Sequence, residues 1–221
     1  MHDIPTQVVS VNVGIPRHVK WKGRDVSTGI FKEPVGGPVQ VRRLNIDGDQ
    51  QADLAVHGGA EKAVYAYPAE HYPLWRHELP EMQLTWAMFG ENLTTQGLTE
   101  ETVFIGERLQ IGDAILMVTQ PRSPCYKLGI RFGRDDMLRR LTQSRRTGFY
   151  LSVEHEGQIT AGDEIVRLGH PHASMTIAAI ADLLFAKVPA TADLRRAIAL
   201  PDLAAVLHDY FADRLLQLEE G

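Results

Sequence analysis

Cysteine occurs once in this 221-residue chain, at Cys125, inside the stretch Gln120-Pro121-Arg122-Ser123-Pro124-Cys125-Tyr126-Lys127-Leu128-Gly129. Pro121 and Pro124 each fix φ and restrict the residue before them, so the approach to the sulfur is stiff. Arg122 and Lys127 flank it with two cations. A thiol in a rigid, electropositive loop ionises more readily than a free one. The competing reading is a small buried hydrophobe, which is what an unpaired cysteine most often is. A core strand has little use for the pattern Arg-x-x-Cys-x-Lys, and that favours the reactive thiolate.

Two further polar, glycine-bearing loops have chemical potential: His57-Gly58-Gly59 through Lys62, and Gly90-Glu91-Asn92. Glycine lets a backbone approach a ligand closely and present its N–H groups. Lysine and arginine bind phosphate, arginine in bidentate fashion. Together the three loops suit an anionic cofactor held beside a thiolate, although His-Gly-Gly by itself is equally a tight turn. His57, with an ordinary pKa near 6.5, is either a proton donor or a loop-holding hydrogen-bond partner. Histidine zinc sites find little support. His71 and His77 lie six residues apart, off the i, i+4 spacing a helical site prefers, and His170-Pro171-His172 falls in a linker. Trp21, Trp75 and Trp86 are too scattered for a nucleic-acid stacking platform.

The elements that must position these loops are mostly strands. Gln7 to Gly14 alternates as a first strand, and Val39, Val41 and Leu44-Asn45-Ile46 suggest a second long one ending at the turn Asp47-Gly48-Asp49. The lysine- and arginine-rich run through Lys20-Trp21-Lys22-Gly23-Arg24 reads as a loop. Glu107 to Thr119 is a hairpin that launches the cysteine loop, and Gly148 to Leu168 reads as a second hairpin. Pro68 to Leu79 and Asp135 to Ser144 are short helices. Short strands joined by Gly-Asp turns predict a mainly β protein, a barrel or sandwich rather than a parallel α/β sheet. From Thr176 the chain turns helical: Thr176 to Lys187, Ala192 to Leu200, and Pro201 to Glu219. The last carries an apolar stripe through Leu203, Val206, Leu207, Tyr210, Phe211, Leu215 and Leu218. The expected organisation is a β domain over 1–170 and a three-helix domain over 171–221, the latter a structural cap, a homodimer contact, a docking surface for a partner protein or a lid over substrate.

Composition narrows the class of function. Hydrophobic residues at 44% and charged residues at 23% are those of an ordinary globular protein. A net charge of −5 disfavours a nucleic-acid or membrane-surface binder. No apolar run approaches the roughly 20 residues of a membrane span, and residues 1–5 lack a secretory signal pattern. One cysteine forms no intrachain disulfide. The expected setting is the cytoplasm, with no nucleic-acid or membrane partner.

Four stretches in order resemble the MOSC domain family, and within it the YiiM group. They are Val56 to Pro68, Phe89-Gly90-Glu91-Asn92-Leu93, Val103-Phe104-Ile105-Gly106-Glu107, and Gln120 to Leu128. The resemblance covers roughly residues 5–168, and the helical tail resembles the three-helix domain of YiiM-like proteins. It implies a distorted β-barrel that binds the molybdenum cofactor, a molybdenum–molybdopterin. Cys125 would supply a thiolate to molybdenum beside the pterin dithiolene. Lys32, His57, Gly58, Gly59, Lys62, Asn92, Arg122 and Lys127 would surround the pterin and its phosphate. Family members reduce N-hydroxylated compounds, including hydroxylaminopurines, to amines. That implies an oxidoreductase with a small-molecule N-hydroxylated substrate, and a separate reductase protein as electron donor, since no cysteines remain for a fused ferredoxin. Two alternatives stand beside it: a non-enzymatic carrier of the cofactor or of sulfur, and a metal-free enzyme using Cys125 as nucleophile near His57.

Overall fold

The computed structural model describes residues 5–52 and 58–220. The chain opens with β1 (Gln7–Val13), a hairpin of β2 (Arg17–Trp21) and β3 (Arg24–Thr28), and the short strands β4 (Glu33–Val35) and β5 (Val39–Val41). A single 3-10 turn (Ala60–Lys62) leads into β6 (Val64–Pro68) and helix α1 (His71–Glu78), followed by β7 (Leu93–Gln96), β8 (Arg108–Ile111) and β9 (Ala114–Pro121). Helices α2 (Lys127–Phe132) and α3 (Met137–Ser144) come next, then β10 (Phe149–His155), β11 (Gly157–Ile159) and β12 (Ile165–Gly169). Three helices close the chain: α4 (Ile177–Phe185), α5 (Thr191–Ile198) and α6 (Ala205–Glu220).

Eight strands form one sheet in the order β12-β8-β9-β10-β6-β7-β1-β4. Every pairing in it is antiparallel except β6 with β7. The sheet curls without closing into a barrel. Where β12 comes round to β1, the junction is an isolated bridge between Gln7 and Glu164 and loop bonds rather than a ladder. Val8 N donates to Asp163 O at 2.9 Å, and Ile165 N donates to Thr6 O at 2.8 Å. The mainly β architecture with C-terminal helices is as the sequence predicts, with the barrel left open along this seam.

Several local expectations change. Lys20 to Arg24 is no loop but the tip of the β2–β3 hairpin, turning through Lys22 and Gly23, both at positive φ. The long second strand is only β5, because the chain folds back at Val41, which bridges Ile46. Residues 148–168 do not form a hairpin. β10 joins β9 and β6, β11 pairs with β5, and β12 pairs with β8. Gly157 packs so tightly against the β8–β9 turn that a Cβ there would lie 2.3 Å from the Asp113 carbonyl carbon. That contact directs β11 away from β10.

Two apolar clusters divide the interior. The larger joins the sheet to the C-terminal helices: Val8, Leu93, Leu116, Phe149, Ile177, Leu207 and Phe211 all belong to it. The tail stripe therefore splits, with Leu207 and Phe211 buried and Val206, Tyr210 and Leu218 exposed. The smaller cluster is aromatic. Tyr67 stacks on Phe89 with centroids 4.2 Å apart, and Tyr72, Trp75 and Phe132 close around them. It lies under the cysteine loop, because α2 contributes Leu128 and Phe132 to it.

Candidate functional site

A cavity of about 570 Å³, open to solvent, lies where β3, β6, β10 and the start of α2 converge. Its wall carries Cys125, Arg122, Lys127, Lys62, Tyr65 and Tyr150. Residues separated by nearly a hundred positions are thus gathered at one hollow, cations and phenols among them.

A distortion in β9 helps set this arrangement. Between β9 and β10 the register slips, so that Gln120 faces Tyr150 while Val118 faces Leu151. Thr119 is the extra residue of this bulge, and its hydroxyl donates to Glu61 O at 2.7 Å. Bulges of this kind re-aim side chains next to sites. Here the bulge ties the 3-10 turn that carries Lys62 to the strand that leads to Arg122.

Cys125 is half-buried and not in a disulfide. Its carbonyl accepts from Leu128 N at 3.0 Å, which fixes the loop to the first turn of α2. Arg122 is buried beside it. Its guanidinium donates to Phe89 O and lies over the Tyr65 ring, 4.7 Å from the centroid. Burial works against the arginine's charge, but the phenol oxygens of Tyr65 and Tyr150 and the Cys125 sulfur outweigh it and keep the group protonated. The influence is mutual, so the same cation favours the Cys125 thiolate. Burial pushes the phenols of Tyr65 and Tyr150 upward, and both stay neutral. The Tyr65 hydroxyl donates to Thr147 O at 2.7 Å.

Lys127 is buried at the start of α2 and faces the cavity. Lys32 also lines it, but its ammonium is bound to the Asp49 carboxylate. Asp49 further accepts from Asn92 Nδ2 at 2.9 Å and from Gly14 N at 3.0 Å. Asn92 in turn accepts from Tyr65 N at 3.1 Å. Lys32 and Asn92, expected to hold a cofactor, thus form a buried network that shapes the wall. Burial lowers the Lys32 pKa, with Asp49 opposing the shift.

Gly58 and Gly59 do not line the cavity. Gly59, at φ +100, caps the 3-10 turn, and Lys62 N donates back to its carbonyl at 3.0 Å. Their contribution is to present Lys62. His57 lies outside the described residues. Gly90 does line the cavity, at φ +76, where a Cβ would meet Ile30 Cγ1 at 2.8 Å. Its neighbour Glu91 is fully buried and receives Ala87 N at 2.9 Å, Phe89 N at 3.1 Å and Thr94 Oγ1 at 3.0 Å. Burial nonetheless raises the Glu91 pKa.

Sequence reading missed Asp49, Tyr65 and Tyr150. Asp49 sits in a turn-forming Asp47-Gly48-Asp49, where solvent exposure is the normal fate of aspartate. Tyr150 lies on the face of β10 opposite Phe149 and Leu151, as alternation places it, but no periodicity reveals that this face borders a cavity. Tyr65 stood within a stretch already marked by its glycines and lysine.

These features coincide with a family match. The MOSC domain profile matches residues 53–166. The chain is 43% identical over 170 residues to an uncharacterised Bacillus subtilis protein, YflK, covering 77% of this chain and 76% of that one. It is 40% identical over 136 residues to Escherichia coli YiiM, covering 61% of each. A Gibberella moniliformis protein named "Reductase" is 35% identical over 158 residues, covering 70% of this chain and 28% of its own length. The crystal structure of Geobacillus stearothermophilus YiiM superposes with a TM-score of 0.81 at 33% identity, over 96% of this chain and all of that one. The chain belongs to the MOSC domain family, as a YiiM-like member. Among the described residues, no helix is long and apolar enough to cross a membrane.

Proposed function

We propose that this protein is a molybdenum-cofactor-dependent reductase that converts N-hydroxylated compounds, hydroxylaminopurine-type bases and hydroxylamines, to amines. The observation that carries the reading is the placement of the Cys125 side chain on the wall of an open cavity, next to a buried arginine and two lysines. Membership of the MOSC family and the fungal relative named a reductase support it.

The residues present suit the group. A thiolate is a soft ligand of the kind a dithiolene-bound metal accepts, and Cys125 would be that ligand. Arg122 and Lys127 offer charge to the pterin phosphate, and Lys62 lines the same cavity. When bound, the cofactor supplies two electrons to the N–OH group, which takes up two protons and leaves as an N–H group and water. Arg122, coupled to Cys125, favours the anionic form of the sulfur. The aromatic floor of Tyr65 and Tyr150 excludes water from one side and keeps neutral phenols facing the cavity. His57 remains the proposed proton donor. Electrons come from a separate reductase protein.

The test is reduction of 6-hydroxylaminopurine by the purified, molybdenum-loaded protein with an artificial electron donor. Adenine formation in proportion to molybdenum content is the expected result. Fully loaded protein that forms no adenine, and no amine from other hydroxylamines, contradicts the reading.

A further inference from the structure

Beyond the cavity mouth, two guanidinium groups crowd one aromatic ring. Arg17 lies 3.9 Å from the Phe31 centroid and Arg131 lies 5.2 Å from it. Neither has an ion-pair partner among the described residues, and Arg131 Nε is buried without any hydrogen-bond acceptor. Glu33 and Glu91 act on Arg131 only at a distance, while Arg17 repels it. Arg17 is exposed and solvated by water, but Arg131, half-buried with an unsatisfied donor, bears a desolvation cost that an anion joining the pair would offset.

Their placement ties them to the cavity. Arg17 stands opposite Thr28 in the β2–β3 ladder, and Thr28 lines the hollow. Phe31 lies between Ile30 and Lys32, both lining residues. Arg131 follows Lys127 by four residues in α2, so the two side chains share a helix face. The hairpin is fastened to this helix region: Lys22 Nζ reaches Asp135 at 2.8 Å, and Trp21 Cζ2 is 3.8 Å from where a Cβ on Gly129 would sit. Lys127, Arg131 and Arg17 therefore form a cationic path running outward from Cys125.

We propose that Arg17 and Arg131, set by Phe31, form a subsite for a phosphate group of a molecule whose other end lies in the cavity. Planar guanidinium groups recognise phosphate oxygens in pairs, and the cations deeper in the cavity are partly committed already, Lys32 to Asp49 and Arg122 to Phe89. The phosphate is that of a phosphorylated substrate, such as an N-hydroxylated nucleotide, or that of the pterin.

The direct test is calorimetric binding of inorganic pyrophosphate to full-length protein made in a host unable to synthesise the pterin. Wild type binds, and Arg17→Ala and Arg131→Ala each weaken binding about tenfold or more. Arg24→Ala, an equal charge loss elsewhere on the same hairpin, leaves it unchanged. No binding by wild type, unaltered binding in both variants, or an equal loss in Arg24→Ala overturns the subsite. Arg17 is exposed, so its removal does not threaten folding. The source of the phosphate is read on loaded protein, an arm that rests on the reductase reading, whereas pyrophosphate binding does not. For a substrate phosphate, Arg17→Ala raises KM for an N-hydroxylated nucleoside monophosphate about tenfold, with the nucleoside's KM and the pterin content unchanged. For a cofactor phosphate, pterin content falls and the two substrates are affected alike. If neither quantity moves, the subsite serves neither and the proposal fails.

Discussion

The Lys32 ammonium and the Asp49 carboxylate form a buried ion pair in the wall of the cavity, and Asn92 holds the second carboxylate oxygen at 2.9 Å. Removing one partner of such a pair leaves an uncompensated buried charge, which typically costs about 3–5 kcal/mol. Asp49→Ala is expected to destabilise the protein by that order, and Lys32→Met with Asp49→Leu to recover much of it. Urea denaturation of the single and the double variant beside wild type checks this. A single variant as stable as wild type would mean that the pair is not closed in solution.

Arg122 and Cys125 are electrostatically coupled. Arg122→Gln removes the cation that favours the thiolate, so alkylation of Cys125 by iodoacetamide near neutral pH is expected to slow about tenfold, as a shift of roughly one pKa unit gives. The pH profile of the rate moves to higher pH. An unshifted profile would remove Arg122 from its activating role.

Burial raises the Glu91 pKa above its ordinary value of 4.5. A carboxyl whose folded-state pKa is raised contributes stability that is complete below the unfolded value and is lost as pH rises through the folded value. Glu91→Gln does not titrate. The stability of wild type relative to this variant therefore falls as pH rises from about 4.5, whatever the offset from altered hydrogen bonds. Denaturation at several pH values reads the slope, and a difference that stays constant or grows with pH contradicts the shift.

The C-terminal helices share an apolar cluster with the sheet, and Glu61, beside Lys62, accepts from the first N–H of α6 at 3.0 Å. Phe211→Ala is expected to cost about 3–5 kcal/mol. Truncation after residue 170 strips the cover from Leu116 and its neighbours, so the remainder is expected to aggregate rather than unfold cooperatively. A soluble fragment with a sharp transition contradicts this and shows that 1–170 folds without the helices.

What was legible in the sequence was local. The β8–β9 hairpin announces itself by alternation around Gly112-Asp113, and the tail helices by apolar spacing and prolines. The cysteine loop was legible because prolines and cations are unusual around a core cysteine. Pairing between distant strands was not. Nothing near Gly157 says that it packs on Asp113, so local alternation by itself predicts a hairpin there. The roles of Lys32 and Asn92 depended on Asp49, which becomes a buried partner only once β1, β7 and the loop after β5 are brought together. The unpaired Arg17 and Arg131 are 114 positions apart and meet only through Phe31. Charge in a sequence does not reveal whether a neutralising partner stands opposite.

The central claim is that Cys125 holds molybdenum through its sulfur. The most direct measurement is molybdenum per chain in wild type and Cys125→Ser, each purified from a cofactor-replete host and matched for folding by circular dichroism. The account predicts metal in wild type and its substantial loss in the variant. Equal metal in both, or none in wild type, would contradict it.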